Sequence, residues 1–131
     1  MKPLNVVTET RISGTVQRWE ITNMATQLPA NDPVLRRFRA ALTATYGERL
    51  ERAILFGSRA RGDQRADSDY DIAVFLKDLG PLWKELHPLA VITTHILYDT
   101  GAVISAKPFK AGSYDKRTTL MQEIRREGID L

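Results

Sequence analysis

This 131-residue sequence predicts an α/β fold in which a small mixed sheet is flanked by helices, and three observations carry that reading. Segments with helical spacing alternate with short apolar runs along the chain, the pattern of helices packed on a sheet. Glycine or proline stands at most of the boundaries, where the chain must turn or cannot continue a helix. Hydrophobic residues make up 43% and charged residues 27%, an ordinary balance for one core-forming domain.

The elements follow in order. Residues 1–31 stand apart as an N-terminal extension or arm, with Val6, Val7, Ile12, Val16, Trp19 and Ile21 scattered among polar residues. Met24, which runs directly into the first organised segment, offers an alternative start, so the upstream part reads as a misassigned start in that case. Residues 32–131 form the organised domain. Asp32-Pro33 is an N-cap followed by proline at the first helical position, and Val34, Leu35, Phe38, Ala41, Leu42 and Thr45 keep helical spacing up to Gly47. Arg52 to Phe56 reads as a buried strand, Ser58 onward as a short helix, and Tyr70 to Leu76 as a second strand. Pro81 opens a longer helix lined by Leu82, Trp83, Leu86, Leu89, Ile92, Ile96 and Leu97, with a kink or break expected at His87-Pro88. Gly101 ends it, Ala102 to Phe109 is a third strand, and Thr118 or Thr119 caps a last helix that runs to Gly128.

Composition narrows the function. The sequence contains no cysteine, which excludes disulfides and cysteine-bound zinc and fits a reducing cytoplasm. No apolar run is long enough for a membrane helix. A formal charge of +3 points only weakly to nucleic acid. His87 and His95 lack a nearby third ligand and read as structural or surface residues, and the aromatics, Trp83 included, read first as core.

The informative stretch is ILFGSRARGDQRADSDYDIAVFL, Ile54 to Leu76. Gly57-Ser58 forms a turn between two apolar runs, and ten residues later Asp69 and Asp71 flank Tyr70. Such a pattern arises by chance in roughly one chain in a thousand of this length. Alternation along a strand puts both acids on one face and Tyr70 on the other, in the core. Paired carboxylates make a hard oxygen site suited to Mg²⁺. Gly57 permits a sharp turn and close approach of backbone to phosphate, while Ser58 Oγ and the following N–H groups suit the β- and γ-phosphates of a nucleoside triphosphate. Arg59, Arg61 and Arg65 lie between turn and acids and are candidate contacts to triphosphate or an acidic partner. Asp63 and Asp67 read as solvated or capping loop acids.

The Gly57-Ser58 and Asp69/Asp71 set resembles the signature of the DNA polymerase β-like nucleotidyltransferase superfamily, above all its minimal nucleotidyltransferases. DTGAVISAKPF (Asp99 to Phe109) and MQEIRREGIDL (Met121 to Leu131) resemble that branch too, so the similarity covers about Val34 to Leu131. The resemblance implies the polymerase β-like fold, Mg²⁺ held by Asp69 and Asp71, and AMP transfer from ATP to a hydroxyl. Its typical acceptor is a tyrosine of a cognate HEPN toxin, which makes this chain an antitoxin; neither membrane nor nucleic acid is implied, and oligomers are allowed. One feature departs from the pattern. A third carboxylate usually stands on a neighbouring strand, and here Gly101 to Lys107 offers none; Asp99 and Asp115 flank that strand at a distance. Two other functions stay open: a non-catalytic antitoxin with a degenerate nucleotide site, and a nucleotidyltransferase acting on a small aminoglycoside-like molecule.

Overall fold

The computed structural model describes residues 31–131, so the N-terminal arm and the alternative start at Met24 lie outside the described residues. The chain divides into two units, Met1–Pro33 and Val34–Leu131, and the second holds the sheet. Its elements are α1 (Pro33–Tyr46), β1 (Leu50–Phe56), a one-turn α2 (Ser58–Arg61), β2 (Tyr70–Leu76), α3 (Leu82–Thr100), β3 (Ile104–Lys110), α4 (Thr119–Glu127) and β4 (Ile129–Asp130). The strands lie in the order β3-β2-β1-β4, with β1 antiparallel to both β2 and β4 and β2 parallel to β3, which makes the sheet mixed.

Periodicity accounts for most of this. Leu35, Phe38, Leu42 and Tyr46 form the buried stripe of α1. β2 is apolar on both faces because it is an inner strand covered on both sides. On one face Tyr70, Ile72, Val74 and Leu76 join α1 and α3 in the larger core; on the other Ala73 and Phe75 join Phe56, Met121 and Ile124 beneath α4. Burying each such side chain stabilises the fold by about 1.5–3 kcal/mol. Thr118 caps α4, its hydroxyl accepting from Met121 N–H at 3.2 Å.

Two expectations need correction. α3 is not broken at His87-Pro88 but runs from Leu82 to Thr100 with Pro88 inside it. Proline there removes one bond, that to the carbonyl of the exposed Lys84, while Glu85, Leu89, Ile92 and Ile96 anchor the helix on both sides. Glu85 is itself buried and takes a hydrogen-bonded ion pair from Arg49. Trp83 is not core: it is 70% exposed, with Leu82, Leu86, Leu97 and Tyr98 also on the surface of α3. A two-residue run is too short to show strand alternation, so β4 carries no sequence signal. Gly128 lets it form: a Cβ there would stand 2.5 Å from Ile54 Cγ2 and closer still to the Ile124 carbonyl. No helix among the described residues is long and apolar enough to cross a membrane.

Candidate active site

The hairpin of β1 and β2 opens at one end of the sheet, where Phe56 pairs with Asp71 and the connecting segment carries the Gly-Ser turn. Gly57 has φ 78° and ψ −157°, a backbone conformation costly for any residue with a side chain. Space forbids a side chain as well, because a Cβ would lie 2.5 Å from Asp71 Oδ2. The turn is therefore packed directly on the carboxylate. Gly57 O accepts from Ala60 and Arg61 N–H, both at 3.1 Å, and so closes the single turn of α2 that starts at Ser58.

The other side of the turn is fixed by a residue from the far end of the chain. Gly57 N–H donates to Glu127 Oε1 at 3.1 Å, and Arg61 Nη1 donates to the same oxygen at 3.1 Å. Glu127 is the last residue of α4 and its side chain is 12% exposed. Sequence reasoning missed it, although a signal was present. An acid in the last turn of a helix opposes the macrodipole, so it calls for a specific partner elsewhere.

Asp71 is half-buried and Asp69, just before β2, is exposed. Burial is the largest influence on the Asp71 carboxyl and lifts its pKa above the ordinary value. Lys107 opposes that shift, Asp69 adds to it, and Arg61 opposes it again. A desolvated carboxylate beside a second acid is a donor set that gains from a cation, and its oxygens suit Mg²⁺. Tyr70, between the two acids, turns away into the core at 6% exposure.

The arginines are distributed differently from one another. The Arg59 guanidinium stacks on Tyr70, 3.9 Å from the ring centroid, and Nε donates to Ser68 O at 2.9 Å. It thereby ties α2 to the segment that delivers Asp69. Arg61 lies between Glu127 and Asp63, whose Oδ2 accepts from Nε at 3.2 Å. Arg65 is exposed on the loop, where its N–H donates to Ser68 Oγ at 2.8 Å. Asp67 is exposed on the same loop.

Asp71 is paired in register with Ser105 on β3, a strand that carries no acid. Among the described residues no cluster of three His, Cys, Asp or Glu is arranged to hold a metal. Asp99 sits near the end of α3, in an ion pair with Arg37 at 2.6 Å. Asp115 follows β3, whose last residue, Lys110, pairs with Leu76 at the opposite end of β2 from Asp71. His87 and His95 are exposed on α3. Lys107 was also passed over, although polar Ser105 and Lys107 alternate with apolar Ile104 and Ala106, which marks one face of β3 as distinct.

Known proteins resemble this chain in sequence and fold. The family described as Polymerase beta, Nucleotidyltransferase matches residues 42–131. A protein of Methanocaldococcus jannaschii that carries the provisional name protein adenylyltransferase MJ0141 is 26% identical over 98 residues, 75% of this chain and 95% of its own. Two crystal structures of substituted variants of the toxin–antitoxin MntA-HpeT share the fold. One has a TM-score of 0.51 at 18% identity, covering 70% of this chain and 68% of that one; the other has 0.50 at 22%, covering 71% and 68%. With the turn, the paired acids and the mixed sheet all inside the matched span, this chain belongs to the polymerase β nucleotidyltransferase family.

Proposed function

We propose that this chain is a Mg²⁺-dependent adenylyltransferase that moves AMP from ATP to a hydroxyl on a protein, a tyrosine of a HEPN-type toxin, and so acts as its antitoxin. The observation that carries the reading is the packing of the Gly57 turn on the Asp71 carboxylate, which joins a phosphate-approach element to a metal-binding one. The name of the archaeal relative and the toxin–antitoxin context of the structural neighbours support a protein acceptor.

Each residue has a role on this reading. Asp69 and Asp71 would hold Mg²⁺, which would supply charge neutralisation on the triphosphate and help to orient it. Gly57 lets the phosphates approach the backbone without a side chain between. Ser58 Oγ donates to a phosphate oxygen. Glu127 already takes the Gly57 N–H, so that donor orients the turn and does not reach the nucleotide. On this reading Arg59 is a positioning residue that holds the loop before Asp69, and Arg61, whose charge acts on the Asp71 carboxylate, is the arginine for phosphate contact. The acceptor oxygen attacks the α-phosphorus in line, the bond from that phosphorus to the bridging oxygen breaks, pyrophosphate leaves with the electron pair, and the hydroxyl proton passes to water.

A non-catalytic antitoxin is the second reading, favoured by the absence of a third acid beside Asp69 and Asp71 among the described residues. Incubation with a HEPN-type toxin and ATP labelled at the α- or the γ-phosphate separates the two. Adenylyl transfer labels the toxin from α only, and Asp69→Asn/Asp71→Asn abolishes the label. A toxin that stays unlabelled yet is held by both forms of the chain means neutralisation by contact.

A further inference from the structure

The β3 strand beside Asp71 carries no carboxylate and one lysine, Lys107, on the face of that acid. In the parallel register Asp71 pairs with Ser105 and Ala73 with Lys107. Alternate residues of a strand share a face, so Asp71, Ala73, Ser105 and Lys107 all project to one side of the sheet. Ala73 itself is fully buried in the smaller core with Phe56, so the lysine passes at the margin of that core. Lys107 Nζ stands 5.8 Å from the centroid of the Phe56 ring, and Phe56 is the β1 partner of Asp71. The lysine is exposed, and among the described residues it makes no ion pair within 4.0 Å. Of the cations that act on the Asp71 carboxylate, Lys107 has a larger effect than Arg61, which is shared with Asp63 and Glu127.

We infer that Lys107 is a built-in cation on the acceptor side of the site, taking the place of a second divalent ion so that transfer proceeds with one metal bound per nucleotide. The inference rests on the adenylyltransferase reading above. An ammonium is a compact point charge on a flexible stem. On this edge it offsets the negative charge of Asp71 and of the phosphate oxygens as the acceptor oxygen approaches, which is what a second ion would do there. It needs no third carboxylate to hold it, so the acid-free β3 strand and the lysine are two sides of one arrangement.

The test is a count of Mn²⁺, as a spectroscopic stand-in for Mg²⁺, bound with the non-hydrolysable analogue AMP-PNP, together with transfer kinetics. The full chain should bind one Mn²⁺ per AMP-PNP. Lys107→Asp should bind two, because a third carboxylate then faces Asp71. Lys107→Ala should keep AMP-PNP affinity within about threefold while kcat falls about 100-fold, the scale of losing one transition-state charge contact. Lys107→Arg should restore most of that loss. Two Mn²⁺ on the unsubstituted chain, or an unchanged kcat in Lys107→Ala, overturns the role of Lys107 and leaves the adenylyltransferase reading standing. A full chain that binds no Mn²⁺ with AMP-PNP overturns that reading and this inference with it.

Discussion

Gly57 and Asp71 lie so close that the hydrogen on the Gly57 α-carbon occupies the only space between the turn and the carboxylate; a methyl group there would meet Asp71 Oδ2 at 2.5 Å. The turn therefore reports on the metal-binding acid, and a substitution at one is felt at the other. Gly57→Ala should lower stability by about 1–3 kcal/mol, since it combines strain at φ 78° with a clash. It should also weaken Mg²⁺–AMP-PNP binding more than tenfold. Urea denaturation and titration calorimetry read the two effects; a stable variant with unchanged affinity would mean that the turn is not in the site.

Glu127 should behave as the pin of the turn. Removing its carboxylate in Glu127→Ala leaves the Gly57 N–H without its acceptor, at a cost of about 1–3 kcal/mol. Glu127→Gln keeps a carbonyl oxygen for that N–H and should recover most of the stability. Comparison of the two urea midpoints checks this, and equal losses would show that the charge, and not the hydrogen bond, is what matters.

For Asp71 the sign of the pH effect is fixed by its environment. Burial lifts its pKa above 3.8, so the ionised group costs the fold stability at neutral pH, and the cost disappears as pH falls through the folded value. Without metal at pH 7, Asp71→Asn should therefore raise Tm by about 1–3 °C, with the advantage shrinking below the carboxylate range. A Tm lower than that of the unsubstituted chain would mean that the attraction of Lys107 and Arg61 outweighs burial.

Arg59→Ala should loosen the segment before Asp69 and leave the sheet intact. It removes the stacking on Tyr70 and the bond to Ser68 O, worth about 1–2 kcal/mol together. Limited proteolysis should then cut between Gly62 and Asp69 several times faster. Arg59→Lys should not rescue it, because an ammonium cannot stack and bridge in the same way. An unchanged cleavage rate would reassign Arg59 from the loop to another task.

The parts of this structure that could be read from the sequence are those with local causes. Tyr70 and Asp71 declared their faces by alternation, Thr118 and Gly101 declared helix ends, and the Gly-Ser turn declared itself by its neighbours. The rest depends on contacts between distant segments. Glu127 meets Gly57 across 70 positions, and Lys107 reaches the row of Asp71 only because β3 is parallel to β2 and set in that register. Trp83 failed for a related reason. Helical spacing shows that α3 is apolar over much of its surface but not which stripe the sheet covers. Pro88 does not break α3 because tertiary packing holds a helix that its own sequence would interrupt.

The short strand after Gly128 has a dynamic consequence. Ile129 and Asp130 are laced to Leu55 and Ile54, and Leu131 N–H donates to Ala53 O at 3.0 Å, immediately after Glu127 grips the Gly57 turn. The turn cannot breathe without unlacing an edge of the sheet, so its amides should exchange with solvent at rates set by the β1 ladder and not by a loop. A nucleotide would then meet donors already in place, and its affinity would lose little to the entropy of ordering them.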